Sequence, residues 1–382
     1  MGRMVERKYW RSLIEQALAR RPIVWLSGIR RSGKTVLSSS FTGAEYFDCE
    51  LPRVRSMLAD PEMFLASKTG KLLVLDEIHR LDNPSEILKI SHDHFPTVKI
   101  IATGLSTLSA SAKFKDTLTG RKTEIRLTPM NASDSEDFKV ADLNLRLHRG
   151  GLPPFILADT YPEKDYQEWL DSYWARDVQD LFKLEKRSAF LKFVELVFAQ
   201  SGGIFEASKF AAPCEVGRAT IANYLSVLEA TGVAYPVRPF SSRLANEIVT
   251  APKVYGFDTG FLCFFRGWDT LREDDKGILW EHLILNEMLS VLQSTDINYW
   301  RDKAGHEIDF VLKKRGRPPM AIECKWKAAK FDPAALRVFR RRYPQGDNLV
   351  ISSDIDRPYE KNVGGFNILF TGINTLKTVL PV

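Results

Sequence analysis

Two short stretches of the chain carry residues whose types and spacing suit phosphate chemistry. The first, residues 28–35 (GIRRSGKT), satisfies G-x-x-x-x-G-K-[ST] and follows the strand-like run IVWLSG. Glycines in such a loop let backbone N–H groups turn toward a β-phosphate at the start of a helix. The pattern predicts that Lys34 reaches the β- and γ-phosphates of ATP and that the hydroxyl of Thr35 binds Mg²⁺. The predicted nucleotide-binding residues of this loop are Gly28, Ser32, Gly33, Lys34 and Thr35.

An acidic pair downstream supports this prediction. The run LLVLDEIH places Asp76 at the end of an apolar strand, where its carboxylate can hold Mg²⁺, with Glu77 as the candidate base for the attacking water. The alternative is an acidic pair that merely opens a loop. The position of Asp76 and Glu77 downstream of the phosphate loop favours the catalytic interpretation.

The second stretch, AIECKWK at residues 321–327, has a glutamate and a lysine two residues apart in an apolar run. In a strand, Glu323 and Lys325 therefore share one face. The turn RGRPP is expected to bring Asp309, on the preceding strand, into antiparallel register with them. Carboxylates of Asp309 and Glu323 would hold Mg²⁺, and Lys325 would orient a metal-bound water. The alternative is an ion-pair cluster without activity.

Composition sets the general class of the protein. A chain of 382 residues is long enough for two or three domains, and its net charge of +6 suits a polyanionic partner without establishing one. Its four cysteines lie far apart, which argues against a zinc site or disulfides. The sequence has neither an apolar run of membrane-spanning length nor a secretory signal, so we expect a cytoplasmic protein without a membrane contact.

The order of elements predicts an α/β protein in three segments. Apolar strands alternating with helices predict a largely parallel sheet in residues 1–149, and GGLPPF marks a hinge after it. Residues 150–252 are predicted to be helical and winged-helix-like, with residues 218–230 as the recognition helix, although lid and protein-contact modules share this pattern. Residues 253–382 are predicted to contain a helix, three strands, a helix and a strand.

The N-terminal segment resembles AAA+ ATPases. Strand EYFDCE lies between the phosphate loop and the acidic strand, and strand VKIIATG follows. Together with TLTGRKTEIRLTPM, GGLPP and YWARDV, this resembles prokaryotic AAA+ ATPases of an archaeal-type group with a C-terminal domain of unknown function. This sequence departs from the pattern of that group in two places, at TGLST after the strand and at Met130, which stands in place of leucine.

This resemblance implies further roles in the ATPase. Thr103 or Ser106 would sense the γ-phosphate, unless they merely cap a turn. Arg121 would act as an arginine finger on a neighbouring subunit, unless it is a plain surface arginine. A finger would require a homo-oligomer, either a ring or a dimer.

The C-terminal segment resembles the PD-(D/E)xK nuclease core. Asp309 is followed by thirteen residues and then Glu-x-Lys, and Glu281 on the helix WEHLILNEML matches the helical acid of that core. The resemblance implies Mg²⁺-dependent hydrolysis of a phosphodiester, with Glu281 and Lys325 as catalytic residues and Asp309 and Glu323 as metal ligands.

The predicted function is an ATP-hydrolysing DNA-processing protein that couples an AAA+ ATPase to a nuclease-like domain, acting on branched or broken DNA. The alternatives are a DNA-remodelling ATPase with an inactive nuclease domain and a nucleotide-dependent switch that binds a protein partner. The sequence leaves open whether the pathway is DNA repair, mobile-element control or defence, and it does not exclude RNA.

Overall fold

The computed structural model describes residues 5–104, 118–182, 184–241 and 251–381. The chain divides into two compact units. The first comprises Met1–Ala141, Leu152–Glu185 and Ala230–Gly232, and the second Asp142–Gly151, Lys186–Glu229 and Val233–Val382. The three segments predicted from the sequence divide the chain at other points, and that division stays a prediction.

The elements up to residue 182 alternate between strands and helices before a wholly helical stretch. The strands are β1 (Ile23–Gly28), β2 (Glu45–Asp48), β3 (Leu72–Asp76), β4 (Lys99–Thr103) and β5 (Lys122–Leu127). The helices are α1 (Lys8–Arg20), α2 (Lys34–Ser39), α3 (Pro52–Met57), α4 (Pro61–Ala66), α5 (Pro84–His94), α6 (Ala132–Asp137), α7 (Leu143–Arg149), α8 (Pro153–Ile156), α9 (Glu163–Tyr173) and α10 (Gln179–Phe182), with a 3₁₀ turn at Ile78–Arg80 and a π-helical turn at Trp174–Val178.

The later elements begin with helices and end with a strand-rich region. The helices are α11 (Arg187–Ala199), α12 (Ala207–Ala211), α13 (Arg218–Ala230), α14 (Thr259–Arg266), α15 (Glu273–Leu292), α16 (Ala334–Arg342) and α17 (Leu376–Val379), with 3₁₀ turns at Ala328–Lys330 and Ile373–Thr375. The strands are β6 (Gly203–Ile204), β7 (Ala234–Pro239), β8 (Lys253–Gly256), β9 (Ile297–Arg301), β10 (Glu307–Leu312), β11 (Met320–Lys325), β12 (Asn348–Ser352), β13 (Tyr359–Val363) and β14 (Phe366–Thr371).

The first unit is built on a parallel sheet. Among the described residues its strand order is β2-β3-β4-β1-β5, and every pairing is parallel. Successive residues of β1 alternate between two apolar clusters, with Ile23 and Trp25 in one and Val24 and Leu26 in the other. Both faces of the sheet are therefore buried, as a strand of continuous apolar residues requires. The predicted parallel α/β sheet is confirmed.

The second unit contains a larger, mixed sheet. Within the described residues its strand order is β13-β14-β12-β11-β10-β9-β7-β8-β6. The elements α15, β9, β10, β11, α16 and β12 follow the predicted order of helix, three strands, helix and strand. Strand β11 pairs antiparallel with β10 and parallel with β12.

The middle of the chain contributes to this second sheet as well. Helices α12 and α13 are followed by β7, and α13 spans the residues predicted as a recognition helix. Strands β6, β7 and β8 extend the large sheet at its β9 edge. A winged-helix identity for this part stays a prediction.

The segment GGLPPF contains one of the points at which the chain passes between the two units, from Gly151 to Leu152. Gly150 has φ +75°, and a Cβ there would collide with the carboxylate of Asp258. The N–H of Gly151 donates to that carboxylate at 2.6 Å. Pro153 then occupies the first turn of α8, where a missing N–H costs no helical hydrogen bond.

None of the helices in the described ranges is both long enough and apolar enough to cross a membrane.

A buried ion pair fixes the N-terminal segment of the first unit. The guanidinium of Arg7 donates from Nε and Nη2 to the carboxylate of Asp134, at 2.7 and 2.5 Å, and the indole of Trp10 donates to the same carboxylate at 2.9 Å. Asp134 also completes a capping box with Asn131 at the start of α6. Because Asp134 is fully buried, each of these donors offsets the cost of keeping its charge out of water.

Replacing this carboxylate should destabilise the first unit. In Asp134→Ala, Arg7 stays buried without its partner, so we expect the free energy of unfolding to fall by about 3–5 kcal/mol. Denaturant titration followed by tryptophan fluorescence measures the change. Glu15→Ala is the control, because Glu15 pairs with Arg11 at the surface of α1 and should matter by less than about 1 kcal/mol. Equal unfolding midpoints for the two variants would contradict the assignment.

Candidate nucleotide-binding site and acidic cluster

The phosphate loop connects β1 to α2 at the carboxyl end of the parallel sheet. Gly28 has φ +151°, and a Cβ at this position would collide with the carbonyl oxygen of Leu127 on the neighbouring strand. Gly33 has φ +97°, in the left-handed region that glycine favours. Both glycines of the motif are therefore required by backbone geometry.

Lys34 is buried within this loop. Its Nζ donates to the carbonyl oxygens of Gly28 at 2.8 Å and Ile29 at 3.2 Å. Burial lowers the pKa of this ammonium group, and the carboxylate of Glu77 opposes that shift. The ammonium group thus lies inside the phosphate loop.

The carboxylate of Asp76 gathers hydroxyl groups from three other elements. Its Oδ2 accepts from Thr35 at 2.9 Å and from Tyr46 at 2.7 Å, and its Oδ1 accepts from Thr103. This is possible because β4 lies between β1 and β3, so that Thr103 ends beside Asp76. The structure therefore brings together Thr35, Asp76 and Thr103, as the sequence predicts.

Glu77 follows Asp76 in a left-handed conformation, with φ +50°. Its N–H donates to the hydroxyl oxygen of Thr103 at 3.0 Å, and its carboxylate lies 3.2 Å from Nδ1 of His79. Burial raises the pKa of Glu77, although Lys34 works against that rise. A carboxylate with a raised pKa is a stronger base, which suits the role predicted for this residue.

The residues around the loop fit a nucleotide with Mg²⁺. The hydroxyl of Ser32 is buried without a hydrogen-bond partner in the described part of the chain, which leaves it available to a ligand. The hydroxyl of Thr35 and the carboxylate of Asp76 supply the oxygen ligands that Mg²⁺ prefers.

Arg121 is held within its own chain. Its Nε and Nη2 donate to the carboxylate of Asp93 on α5, at 3.0 and 3.1 Å. These bonds, together with one from His92, lower the pKa of Asp93 to about 2. A finger role for Arg121 stays a prediction. Ser106, the alternative to Thr103 as a sensor, lies outside the described residues.

The predicted C-terminal site residues also lie together. Phe310 pairs with Ile322 across β10 and β11, which brings Asp309 alongside Glu323. Lys325 donates to Glu323 at 2.6 Å and to Asp309 at 3.2 Å, and the N–H of Cys324 donates to Asp309 at 2.7 Å. Burial, followed by the charge of Asp309, raises the pKa of Glu323 to about 8.

Glu281, on α15, contacts Lys253 and Tyr255, two residues that the sequence did not suggest as part of the site. It accepts from the hydroxyl of Tyr255 and, at 3.1 Å, from Nζ of Lys253, which also donates to Glu307 at 2.7 Å. Burial alone would lower the pKa of Lys253, but Glu281 and Glu307 outweigh it and leave that pKa raised. The alternation in KVYG, which puts Lys253 and Tyr255 on one strand face, was the available signal.

The fit of this cluster to a metal ion rests on two carboxylates. Among the described residues, no group of three or more His, Cys, Asp or Glu side chains is arranged to hold a metal. Asp309 and Glu323, both bonded to Lys325, would supply the side-chain ligands. Mg²⁺ commonly keeps several waters and takes one or two carboxylates as ligands, so Asp309 and Glu323 could bind it without a third acidic side chain.

The basic helix α16 separates into structural and exposed arginines. Arg340 is buried, and its guanidinium donates to Asn348 and to the carbonyl oxygens of Pro319, Gln345 and Asp347. It is therefore unable to face a nucleic-acid backbone, unlike the exposed side chains of Arg337, Arg341 and Arg342.

Three segments of the chain match known protein families. Residues 20–135, which contain the phosphate loop, Asp76 and Thr103, match the AAA domain family. Residues 140–272 match a Domain of unknown function (DUF8612), and residues 276–369 match another, DUF4143. The AAA match supports the predicted N-terminal AAA+ domain. Neither of the other two matches specifies an activity.

Two related proteins match most of the chain, including residues outside the AAA match. Uncharacterized proteins of Mycobacterium bovis and Mycobacterium tuberculosis are each 28% identical over 327 residues, which cover 82% of this chain and 73% of theirs.

Solved structures with AAA+ or DNA-related names show weak overall similarity to the chain. The Thermococcus gammatolerans McrB AAA+ hexamers with bound McrC give a TM-score of 0.26 at 11% identity, covering 68% of this chain and 77% of theirs. The Bacillus subtilis DNA clamp loader delta protein gives a TM-score of 0.26 at 13% identity, covering 73% of this chain and 98% of that protein. Scores this low do not establish a common fold over these lengths and carry no argument.

Arg340 and Arg341 should respond differently to truncation. Arg340→Ala removes the donors of several buried carbonyl groups, so we expect the second unit to lose about 3 kcal/mol of unfolding free energy. Arg341→Ala should change it by less than about 0.5 kcal/mol, because this side chain is exposed. Urea titration of both variants measures the difference. Equal stability would show that the buried hydrogen bonds of Arg340 contribute little.

Proposed function

We propose that the protein is an Mg²⁺-dependent ATPase whose ATP turnover serves a DNA-processing C-terminal unit. One observation carries the ATPase part: Thr35, Asp76 and Thr103 are joined by hydrogen bonds at the end of the parallel sheet. These are the residue types and positions that bind the metal and sense the terminal phosphate of ATP in a P-loop site.

The residues of the AAA domain divide the work of hydrolysis. Lys34 turns from the loop carbonyls to the β- and γ-phosphates, and Thr35 and Asp76 hold the metal and its waters. Mg²⁺ held by these two residues would supply positive charge to offset the charge that develops on the phosphates. Glu77 accepts the proton of the attacking water, and the hydroxyl of Thr103 links this residue to Asp76.

Arg121 would complete the site of a neighbouring copy of the chain. Its guanidinium is partly exposed and bonded to Asp93 at the surface of α5. Exchanging Asp93 for the γ-phosphate of a neighbour would join two subunits through the nucleotide. This part of the proposal requires a homo-oligomer.

The C-terminal cluster supports a metal-dependent nuclease function. Two ammonium groups, those of Lys253 and Lys325, lie among four carboxyl groups, one of which, that of Glu307, also lies 3.6 Å from Arg301. Carboxyl oxygens are ligands that a divalent cation takes. The carboxylates are Glu281, Glu307, Asp309 and Glu323. Asp309 and Glu323 would hold Mg²⁺, Lys325 would orient the water, and Glu281 would act from the helix. Branched or broken DNA is the proposed substrate.

The ATPase proposal predicts different defects for two variants of the AAA domain. Lys34→Ala should weaken ATP binding about 10- to 100-fold, because a charge-assisted hydrogen bond is lost. Glu77→Gln should bind ATP normally but lower kcat about 10²- to 10⁴-fold, because the base is removed. Calorimetric titration and phosphate release measure the two effects.

Matched controls for these variants lie on α5. Lys89→Ala and Glu86→Gln change exposed side chains of the same types and should leave binding and turnover unaltered. Turnover by Glu77→Gln at the wild-type rate would overturn the assignment of the base.

The nuclease proposal predicts a metal-dependent activity that requires Asp309. Wild type should cut single-stranded, duplex or four-way-junction DNA in Mg²⁺ or Mn²⁺, and Asp309→Asn should cut about 100-fold more slowly because a metal ligand is lost. Labelled substrates resolved on gels, with and without ATP, measure cleavage. Glu360→Gln, an exposed carboxylate on β13 of the same sheet, is the control.

The alternatives have distinct outcomes in the same experiment. DNA-stimulated ATP hydrolysis without any cleavage would contradict nuclease activity and leave a DNA-remodelling ATPase. ATP hydrolysis that no DNA alters would contradict both DNA functions and favour a switch that binds a protein partner.

A further inference from the structure

A helical segment outside the AAA match contacts the phosphate loop directly. This segment, residues 163–182, comprises α9, the π-helical turn and α10, and it belongs to the first compact unit. The indole Nε1 of Trp169 donates to the carbonyl oxygen of Arg30 at 3.1 Å. The guanidinium of Arg30 donates to the carboxylate of Asp177, at 3.0 Å from Nη2 and 3.4 Å from Nε. Hydrogen bonds from this segment therefore restrain both the backbone and the side chain of Arg30.

The helical segment presents both contacts on one side. Trp169 and Asp177 are eight residues apart, a spacing that keeps two side chains on one face of a helix. Asp177 lies within the π-helical turn Trp174–Val178, between α9 and α10. The indole and the carboxylate therefore both reach Arg30.

The held residue lies next to a strained one. Arg31 has φ +64°, a left-handed conformation that side chains other than glycine rarely adopt. On its other side, the carbonyl oxygen of Ser32 accepts from Nη1 of Arg7 at 2.7 Å. Strained residues persist where their surroundings over-determine them. Arg31 meets this condition, because both of its neighbours are fixed by side chains from distant parts of the chain.

Because the carboxylate of Asp177 is charged and buried, losing its contact with Arg30 would cost free energy. Asp177 is 2% exposed, while Arg30 keeps contact with solvent at 24%. A carboxylate so deeply buried depends on its cation, and removing one partner of such a pair costs more than the pair contributes. Loss of the carboxylate should free the side chain of Arg30 and loosen the loop around Arg31.

We propose that Asp177 and Trp169 are positioning residues of the ATP site, which hold Arg30 and the strained turn at Arg31 in the conformation that binds the phosphates. This inference rests on the proposed ATPase function and adds that residues 163–182 set its nucleotide affinity. Neither residue belongs to the phosphate loop itself. Both act through Arg30.

Nucleotide binding by matched variants tests the inference. Asp177→Asn should bind ATP and ADP at least tenfold more weakly than wild type, while kcat at saturating ATP falls less than threefold. Glu168→Gln is the control, because Glu168 lies on the same helix and faces the adjacent Arg31 from the surface, 3.9 Å away. Its affinity should stay within twofold of wild type. Calorimetric titration in Mg²⁺ measures binding, and phosphate release measures kcat.

A second variant guards against simple unfolding. Trp169→Phe keeps an aromatic ring in the core and removes the N–H that binds Arg30, so affinity should fall two- to fivefold at temperatures well below its melting point. Affinity within twofold of wild type for both folded variants would overturn the inference and leave the ATPase proposal intact. Absence of nucleotide binding by wild type would overturn both.

Discussion

A buried carboxylate needs hydrogen-bond donors, and around Asp76 this need determines how four elements meet. Its donors come from the hydroxyls of Thr35, Tyr46 and Thr103, on α2, β2 and β4. Leaving such a charge unpaired would cost several kcal/mol, so the ends of these elements are constrained to converge. The strand order β2-β3-β4-β1 is the arrangement that permits it. The hydroxyl of Thr35, one of the three that satisfy Asp76, is also the hydroxyl that a P-loop gives to Mg²⁺, so folding and the proposed metal site share this contact.

In the second unit, acidic side chains are paired mainly with ammonium groups, and the hydroxyl of Tyr255 adds one bond to Glu281. Lys325 joins Asp309 to Glu323, and Lys253 joins Glu281 to Glu307. The backbone N–H of Cys324 also donates to Asp309, because β10 and β11 run antiparallel in the register predicted from the sequence. A stable ion-pair network and a metal-binding site call for the same carboxylates here. The geometry is therefore compatible with both, and metal-dependent chemistry is what separates them.

Sequence predicted those parts of the two sites that depend on short-range pattern. The phosphate loop is a contiguous motif, Asp76 ends an apolar run, and Glu323 and Lys325 follow strand alternation. The residues it missed are paired across long separations: Arg7 with Asp134, 127 residues apart, and Arg30 with Asp177, 147 residues apart. No periodicity encodes such pairs, since they depend on which elements become neighbours. The burial of Arg340 is equally hidden from the sequence, because its helix is basic in composition and yet turns this one arginine inward.

The boundary of the AAA match does not enclose everything that shapes the phosphate loop. The match ends at residue 135, whereas Trp169 and Asp177 hold Arg30 from a segment matched to a domain of unknown function. A loop with a left-handed arginine depends on such external restraints to keep one conformation. Residues 20–135 alone would therefore carry every residue of the P-loop motif without the contacts that fix its backbone. The first compact unit, which contains α9 and the π-helical turn as well as the sheet, therefore includes both the P-loop motif and the contacts that restrain its backbone.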